Sequence, residues 1–524
     1  MTEKPAIPTL TPILKPYGHV GENFLQRHAG LIATIIAATI CIPYGFYYAL
    51  WTPWLIVPLI VPIAIMAGLT IWALPDGMSP PDRILEGMFF AFLVAFLIWP
   101  NYLAIDLAGL PWITLVRFIG VPMTLLMLIS VSASPRFRSS MSAVLSGNPI
   151  IWKLLICYIV LQLISIPFSS GIGNSIAQLV VAQFTETTIL FVACYVFMRP
   201  GRADKWANIL LPVAIVICII SIFEYNQKRV LWANYVPEFL RVSDDNVRLI
   251  LAGATRAATG QYRAQSVFTT ALGLGEFLAL VTPFVFHFAL SRHYKACTRI
   301  VAGFSIPLFL VVLILTDARL GLFGFFAGSM LSILTWAILE LKERKSALVP
   351  PIVIAAFPAA FLFATVASFA VGRVRAKVWG TGQYHSSNEG RMEQIAGGIP
   401  KVFERPLGHG TGTAAQVLGW TQPNGLVTID NYLLAVALDT GILGLAAFLA
   451  FFGASAFLGT KYALGTTHKN TEFQLLKPAS ICIAVFLIIK PVFAQDDNHP
   501  LLYMVVGMIA ALVYRVKLAS RQAS

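Results

Sequence analysis

The segments LIATIIAATICIPYGFYYAL at 31–50 and LIVPLIVPIAIMAGLTIWAL at 55–74 decide the fold class, because both are uncharged and apolar nearly all round. A helix in a soluble core keeps a polar stripe and is rarely so long, whereas about 20 apolar residues cross the hydrocarbon layer of a bilayer. The rest of the chain continues the pattern. With 57% hydrophobic and 12% charged residues over 524 positions, there is too little polar surface to cover a soluble globule, so lipid must solvate most of the molecule. Further apolar runs lie near 84–105, 110–131, 150–169, 175–198, 206–225, 266–290, 299–316, 319–339, 347–371, 431–460, 475–493 and 500–518. Together they predict an all-α polytopic membrane protein of about fourteen transmembrane helices. At 51–53 and 317–319 the joins are so tight that a kink or re-entrant turn competes with two separate spans.

A formal net charge of +13 raises nucleic acid as a partner. The basic residues, however, fall between the apolar runs and form no continuous face with interleaved aromatics, so nucleic-acid binding is excluded and the charge reads as topology control. Arg136 and Arg138, then Arg199, Arg202 and Lys205, then Arg292, Lys295 and Arg299, then Lys342, Arg344 and Lys345, and the tail with Arg515, Lys517 and Arg521 occupy alternate connections. That side is predicted to be cytoplasmic, with both termini inside and an even number of spans. The six cysteines, Cys41, Cys157, Cys194, Cys218, Cys297 and Cys482, lack metal-ligand or disulfide spacing and read as small hydrophobes. The first apolar run exceeds a signal h-region in length and is expected to be a retained anchor.

Two outer loops break the pattern of short, nearly uncharged connections. Residues 226–265 carry Lys228, Arg229, Arg241, Arg248, Arg256 and Arg263; residues 372–430 carry Arg373, Arg375, Lys377, Arg391, Lys401 and Arg405. Basic residues so close to the spans oppose the insertion bias, and an anionic ligand is the simplest compensating role. These loops suggest a division into 1–265, an N-terminal bundle with the first loop, and 266–524, a C-terminal bundle with the second.

In the first loop, Ser243 is expected to cap a helix through Val247, Leu249, Ile250 and Leu251, lying at the membrane surface with Arg248 and Arg256 available to a pocket. Gly260-Gln261-Tyr262-Arg263 then precedes a span holding Gly273, Gly275 and Glu276, an acid that needs a cavity or a partner there. In the second loop, Ser386-Ser387-Asn388-Glu389 has capping-box spacing before a helix whose apolar face is Met392, Ile395, Ile399 and Phe403, with a break or kink at Pro400. Arg391 in its first turn points toward a ligand. Gly408-His409-Gly410-Thr411-Gly412 reads as a mobile turn with exposed N–H groups beside a site. It is no nucleotide loop, since no strand precedes it and no Lys-Ser/Thr follows. Asp430 either caps the next span or serves the chemistry, and Asp317-Ala318-Arg319 is either a local ion pair or a phosphate clamp.

From Arg319 to Gly444, about a quarter of the chain, these motifs resemble the O-antigen ligase and Wzy polymerase family, membrane glycosyltransferases acting on polyprenyl-diphosphate-linked saccharides. The matching features are Arg319-Leu320-Gly321, Arg391, Pro406-Leu407-Gly408-His409-Gly410, Asp430-Asn431-Tyr432-Leu433 and Gly441-Ile442-Leu443-Gly444-Leu445. Arg263 is similar to the family's upstream arginine element. Ligases show His-Asn where this chain has Asp430-Asn431, which favours a polysaccharide polymerase over a ligase.

The resemblance implies a bacterial inner-membrane enzyme with a periplasmic active site, joining undecaprenyl-diphosphate-linked repeat units of an O-antigen or exopolysaccharide. Catalytic candidates are Asp430, Arg319, Arg391 and His409; substrate-binding candidates are Arg263, Glu276, Asn431 and Tyr432. Guanidinium forks suit the leaving diphosphate, and Asp430 orients the acceptor hydroxyl, with the imidazole of His409 as fallback base. No His-Glu-x-x-His or Asp-x-Asp motif occurs, so neither metal nor cofactor is expected. Partners implied are the lipid-linked saccharide, the bilayer, and a chain-length regulator or flippase of the same pathway. The rival classes are ligase-type transfer to lipid A-core or protein, a lipid-linked-saccharide flippase or transporter, and a structural subunit of an envelope complex.

Overall fold

The computed structural model describes residues 56–523 and five positions between 31 and 39, apart from breaks at 107–111, 243, 256–259, 344–347, 373–374, 376–384, 422–426, 466–469 and 493–494. The 51–53 join, Ser243, Arg256, Arg344, Lys345, Arg373 and Lys377 lie outside the described residues, as does most of the run at 31–50.

The described helices begin with α1 Ile56–Trp72, α2 Asp82–Ile98, α3 Leu115–Ala133, α4 Pro135–Gly147 and α5 Pro149–Ser165. Next come α6 Ile172–Ala182, a π turn at Gln183–Thr187 that continues into α7 Thr188–Phe197, α8 Arg202–Gln227 and α9 Asp245–Ala252. Then follow α10 Ala271–Leu290, α11 Ala296–Thr316, α12 Arg319–Glu343, α13 Val349–Ala370, α14 His385–Glu404 and α15 Ala414–Leu418. The chain finishes with α16 Tyr432–Gly465, α17 Thr471–Gln474, α18 Leu476–Ile489 and α19 His499–Ala523. Two short antiparallel hairpins pair Ala104–Ile105 with Ile113–Thr114 and Ala254–Thr255 with Tyr262–Arg263.

Among the described residues, ten helices are long and apolar enough to cross a membrane, fewer than the fourteen or so expected from hydropathy. Two expected spans, α1 and α2, are helices of only 17 residues. The span expected at 84–105 ends at Ile98 because the chain then turns into the first hairpin. The join at 317–319 is a true helix break: Asp317 is left-handed with φ 48°, and α12 starts at Arg319.

The helices α10, α18 and α19 form the interior, and α5 and α11 lie toward the rim. Small residues let α10 and α12 approach closely. A side chain on Gly321 would meet Gly275 Cα at 3.0 Å, and one on Gly324 would meet Ala279 Cβ at 2.9 Å. Such a small-residue stripe substitutes packing for the hydrophobic drive that lipid removes. It also fixes where Arg319, two residues before Gly321, leaves the bundle.

The basic connections gather at one end of the bundle. Arg199 pairs with Asp82, Arg202 Nε lies 2.9 Å from Glu86, and Arg515 Nη2 lies 2.7 Å from Glu472 while its Nη1 donates to Phe197 O at 3.1 Å. At the same end Lys517 donates to Gly147 O and Lys342 to Leu464 O. The two long loops emerge at the other end.

Candidate active site

The hairpin strand Tyr262–Arg263 runs beside the end of α11: Ala264 N donates to Leu315 O at 3.2 Å and Arg263 Nε to Thr316 O at 2.9 Å. Arg263 thus binds a carbonyl left open at a helix C-terminus, where a cation is also favoured by the helix dipole. The carboxylate of Glu224, buried at the end of α8, anchors this stretch by accepting from Tyr262 Oη at 2.7 Å, Gln265 N at 3.1 Å and Ser266 N at 2.6 Å. Sequence reasoning overlooked Glu224; an acid near the end of an apolar run is the signal that marks it.

Three residues on from Thr316, Arg319 reaches across to α14, donating from Nη2 to Asn388 Oδ1 at 3.2 Å. One turn further along α14 stands Arg391, half-buried, and a turn beyond that is Gln394, fully buried, whose Oε1 accepts from Asp430 N at 2.8 Å. Asn388, Arg391 and Gln394 share one face at three-residue spacing. That face joins Arg319 on one side to Asp430 on the other, with Arg391 between them.

The burial of α14 corrects the expected pattern. Gly390, Gln394, Gly398 and Val402 face inward, whereas Met392 is 67%, Ile399 47% and Phe403 67% exposed. Glycine at 390 and 398 allows this approach, since side chains there would collide with Trp420 and Leu434. The helix already includes His385, so Ser386 is inside it, and it runs through Pro400 to Glu404 without ending there. Asp430 does not cap α16 either: Asn431 does, its Oδ1 accepting from Leu434 N at 3.1 Å. No described residue donates a hydrogen bond to the carboxylate of Asp430. In the first loop the cap is Asp244, which accepts from Asn246 N and Val247 N, and Arg248 pairs with Asp245 at the surface.

The glycine-rich turn packs on a broken helix. Inside α16, Gly441 has φ 74° and ψ 179°, which frees the carbonyls before it. His409 N donates to Leu438 O at 2.8 Å and Gly410 N to Asp439 O at 3.0 Å, while the Asp439 carboxylate accepts from Gly412, Thr413 and Ala414 N. The N–H groups expected to be exposed are therefore spent on α16, and His409 is buried. Its Nδ1 lies 3.1 Å from Leu438 O. Because a carbonyl only accepts, Nδ1 is the donor in this bond. Gly408 and Gly441 pack so closely that a side chain on Gly441 would overlap Pro406 O, which explains why the two motifs occur together.

Glu276 and Tyr432 belong to a buried network behind these residues. Glu276 Oε1 lies 3.1 Å from Lys490 Nζ, both fully buried, and Glu276 Oε2 accepts from Asn498 Nδ2 at 3.1 Å. Lys490 Nζ sits 4.5 Å over the Tyr432 ring, which is also edge-on to His499 at 5.0 Å. His499 Nδ1 is 3.2 Å from Glu186 in the π turn, and Asp497 bonds Thr269. Burial and the neighbouring Asp496 push the Asp497 carboxyl up to about 6. Sequence reasoning missed Lys490, Asn498 and His499, although an intramembrane acid such as Glu276 calls for a cation near the end of another span.

Chemically, the loop end of the bundle offers two guanidinium groups, Arg319 and Arg391, connected through the face of α14 to the segment that holds the Asp430 carboxylate, with Arg263 at the same helix join as Arg319. Such a set can hold a polyanion and orient a hydroxyl beside it. No curated protein matches the chain. Residues 304–449, from within α11 to within α16, match the O-Antigen ligase family and include Arg319, Arg391, His409, Asp430, Asn431 and Tyr432; Arg263 and Glu276 fall outside. Over that segment, somewhat more than a quarter of the chain, the protein is similar to the O-Antigen ligase family.

Proposed function

We propose that the protein is a polysaccharide polymerase that joins undecaprenyl-diphosphate-linked repeat units at the outer, periplasmic face of the inner membrane. The observation that carries this reading is the α14 face on which Asn388, Arg391 and Gln394 link Arg319 to Asp430, residues far apart in sequence. In the reaction an acceptor sugar hydroxyl attacks the anomeric carbon of the donor. The bond from that carbon to the diphosphate oxygen breaks, and the hydroxyl proton leaves to solvent or to Asp430. Arg319 and Arg391 stabilise the charge that develops on the leaving diphosphate, with Arg263 as a third cation. Asp430 orients the acceptor hydroxyl, its carboxylate left available because Asn431 caps the helix. His409 Nε2 is the fallback acceptor for the proton.

A ligase that transfers a finished glycan to lipid A-core or protein is the second reading, favoured by the family matched at 304–449. The Asp430-Asn431 pair, where ligases show His-Asn, favours the polymerase. Purified protein with a defined lipid-diphosphate-linked repeat unit separates these readings. A ladder of lengthening lipid-linked glycans is the expected product, transfer only to added lipid A-core would make it a ligase, and movement across vesicles without new glycosidic bonds would make it a carrier. Arg319→Ala is expected to abolish polymer while the protein stays in the membrane, and Asp430→Asn to slow turnover. Normal polymer yield and length from Arg319→Ala would refute the site.

A further inference from the structure

At the basic end of the bundle, opposite the loops, a cavity of about 260 Å³ opens between the C-terminal ends of α10 and α12 and the start of α18. Its lining mixes the apolar Pro283, Phe286, Leu339 and Ile481 with the polar Ser332, Thr335 and Gln474. Its mouth carries the cations Arg292 and Lys477, with His293 beside them, against the single acid Glu340 among the described residues. Arg292 Nη2 is 3.4 Å from Glu340, yet its side chain is 59% exposed, so the pair does not close the mouth. In the wall, His287 Nε2 and Ser291 Oγ are buried with no hydrogen-bond partner among the described residues.

The surface beside the cavity carries apolar residues. On α12, Phe326, Ile333 and Glu340 succeed one another at two-turn spacing, and Phe326 and Ile333 are 52% and 36% exposed. An apolar stripe therefore leads directly to a polar, cationic recess. An occupant matching both parts has an anionic head and hydrocarbon tails. The recess is below the roughly 300–1,000 Å³ of sites that enclose a whole small-molecule ligand, so it admits a head group and leaves the tails outside. From Arg319 to Glu340, α12 rises about 30 Å, which separates this recess from the candidate active site.

We propose that this cavity seats the phosphate head group of an anionic phospholipid, held by Arg292, His293 and Lys477, with its acyl chains along Phe326 and Ile333. Basic recesses between transmembrane helices recognise such head groups through charge and hydrogen bonds together. Native mass spectrometry of the full chain in detergent tests this with phosphatidylglycerol and phosphatidylcholine of the same acyl chains. The wild-type protein is expected to retain phosphatidylglycerol roughly tenfold better. That preference is expected to fall close to parity in the double variant Arg292→Gln, Lys477→Gln. It is also expected to fall in Leu339→Trp, which fills the cavity without changing its charge and stands in if the double variant fails to fold. Equal retention of the two lipids by the wild type overturns the proposal, as does a preference that survives in either folded variant. Inorganic phosphate is expected not to displace the lipid; displacement would overturn the lipid and leave a site for soluble phosphate.

Discussion

Set side by side, the loops at 226–265 and 372–430 have comparable basic charge and lie at the same end of the bundle, yet they treat their arginines differently. The first loop folds around a small core of its own, with Tyr102, Leu103, Val236, Val242 and Val247 buried together and Trp232 Nε1 bonded to Tyr102 Oη at 3.1 Å. Its helix α9 turns Arg248 outward, 78% exposed beside an Asp245 that is 92% exposed, whereas Arg263 comes back to the spans. The second loop lays α14 on the bundle with Gly390, Gln394, Gly398 and Val402 inward and Met392, Ile399 and Phe403 outward. Comparable charge therefore does not set the role of an arginine; the packing of the carrier helix decides which one faces the bundle.

The sharpest test of that difference is a matched pair of substitutions. Arg391→Ala is expected to lower the rate of glycan extension by roughly 10²–10³-fold, the loss seen when one fixed charge-stabilising donor is removed. Arg248→Ala should stay within about twofold, because an exposed ion pair contributes little and touches no site residue. Rates measured with purified protein and a defined lipid-linked donor check both. Comparable losses from the two variants would break the comparison and restore the view of a diffuse basic surface.

A smaller effect is expected where the loops are tethered. Both are held by one carboxylate accepting several hydrogen bonds, Glu224 for the first and Asp439 for the second. Replacing either by its amide, Glu224→Gln or Asp439→Asn, leaves N–H groups short of an acceptor and should cost about 1–3 kcal/mol. Thermal unfolding in detergent reads the loss. If the loops differ as described, Asp439→Asn also lowers activity below that of Glu224→Gln at equal folded fraction, since Asp439 braces the helix that carries Asp430 and Asn431.

Much of the architecture is legible in hydropathy, because lipid punishes polar residues and so writes each span into the sequence. The placement of Arg319 is legible too, since the Gly321 that follows it marks a close helix crossing. The inner face of α14 is not. Periodicity selects Met392, Ile395, Ile399 and Phe403 as the buried side by the logic of soluble proteins, but at a membrane surface an apolar side can face outward. Gly390 and Gly398, each four residues from Gln394, carry the information that this rule discards. His409 illustrates a second limit. Gly408-His409-Gly410 reads as a turn, and only the three-dimensional break at Gly441 reveals the carbonyls it satisfies. Lys490 shows a third: its partner Glu276 lies far away in sequence, so each charge looks costly alone and sensible only as a pair.

The smallest expected effect concerns how each loop ends. Both hand over to a span through a polar cap: Thr270 Oγ1 accepts from Gly273 N at 3.1 Å, and Asn431 Oδ1 accepts from Leu434 N at 3.1 Å. By capping alone the two are equivalent, and Thr270→Ala or Asn431→Ala should each cost about 0.5–2 kcal/mol. Activity should distinguish them. In Asn431→Ala the open N–H groups of α16 become available to the neighbouring Asp430, whose carboxylate can then cap the helix in place of orienting a hydroxyl. Turnover is therefore expected to fall in Asn431→Ala with lipid-linked substrate binding retained, and to hold in Thr270→Ala, where the neighbouring position, Thr269, is already bonded to Asp497. Equal turnover in the two variants would mean that Asp430 does not depend on its neighbour's cap, and the separation of capping from chemistry at 430–431 would be lost.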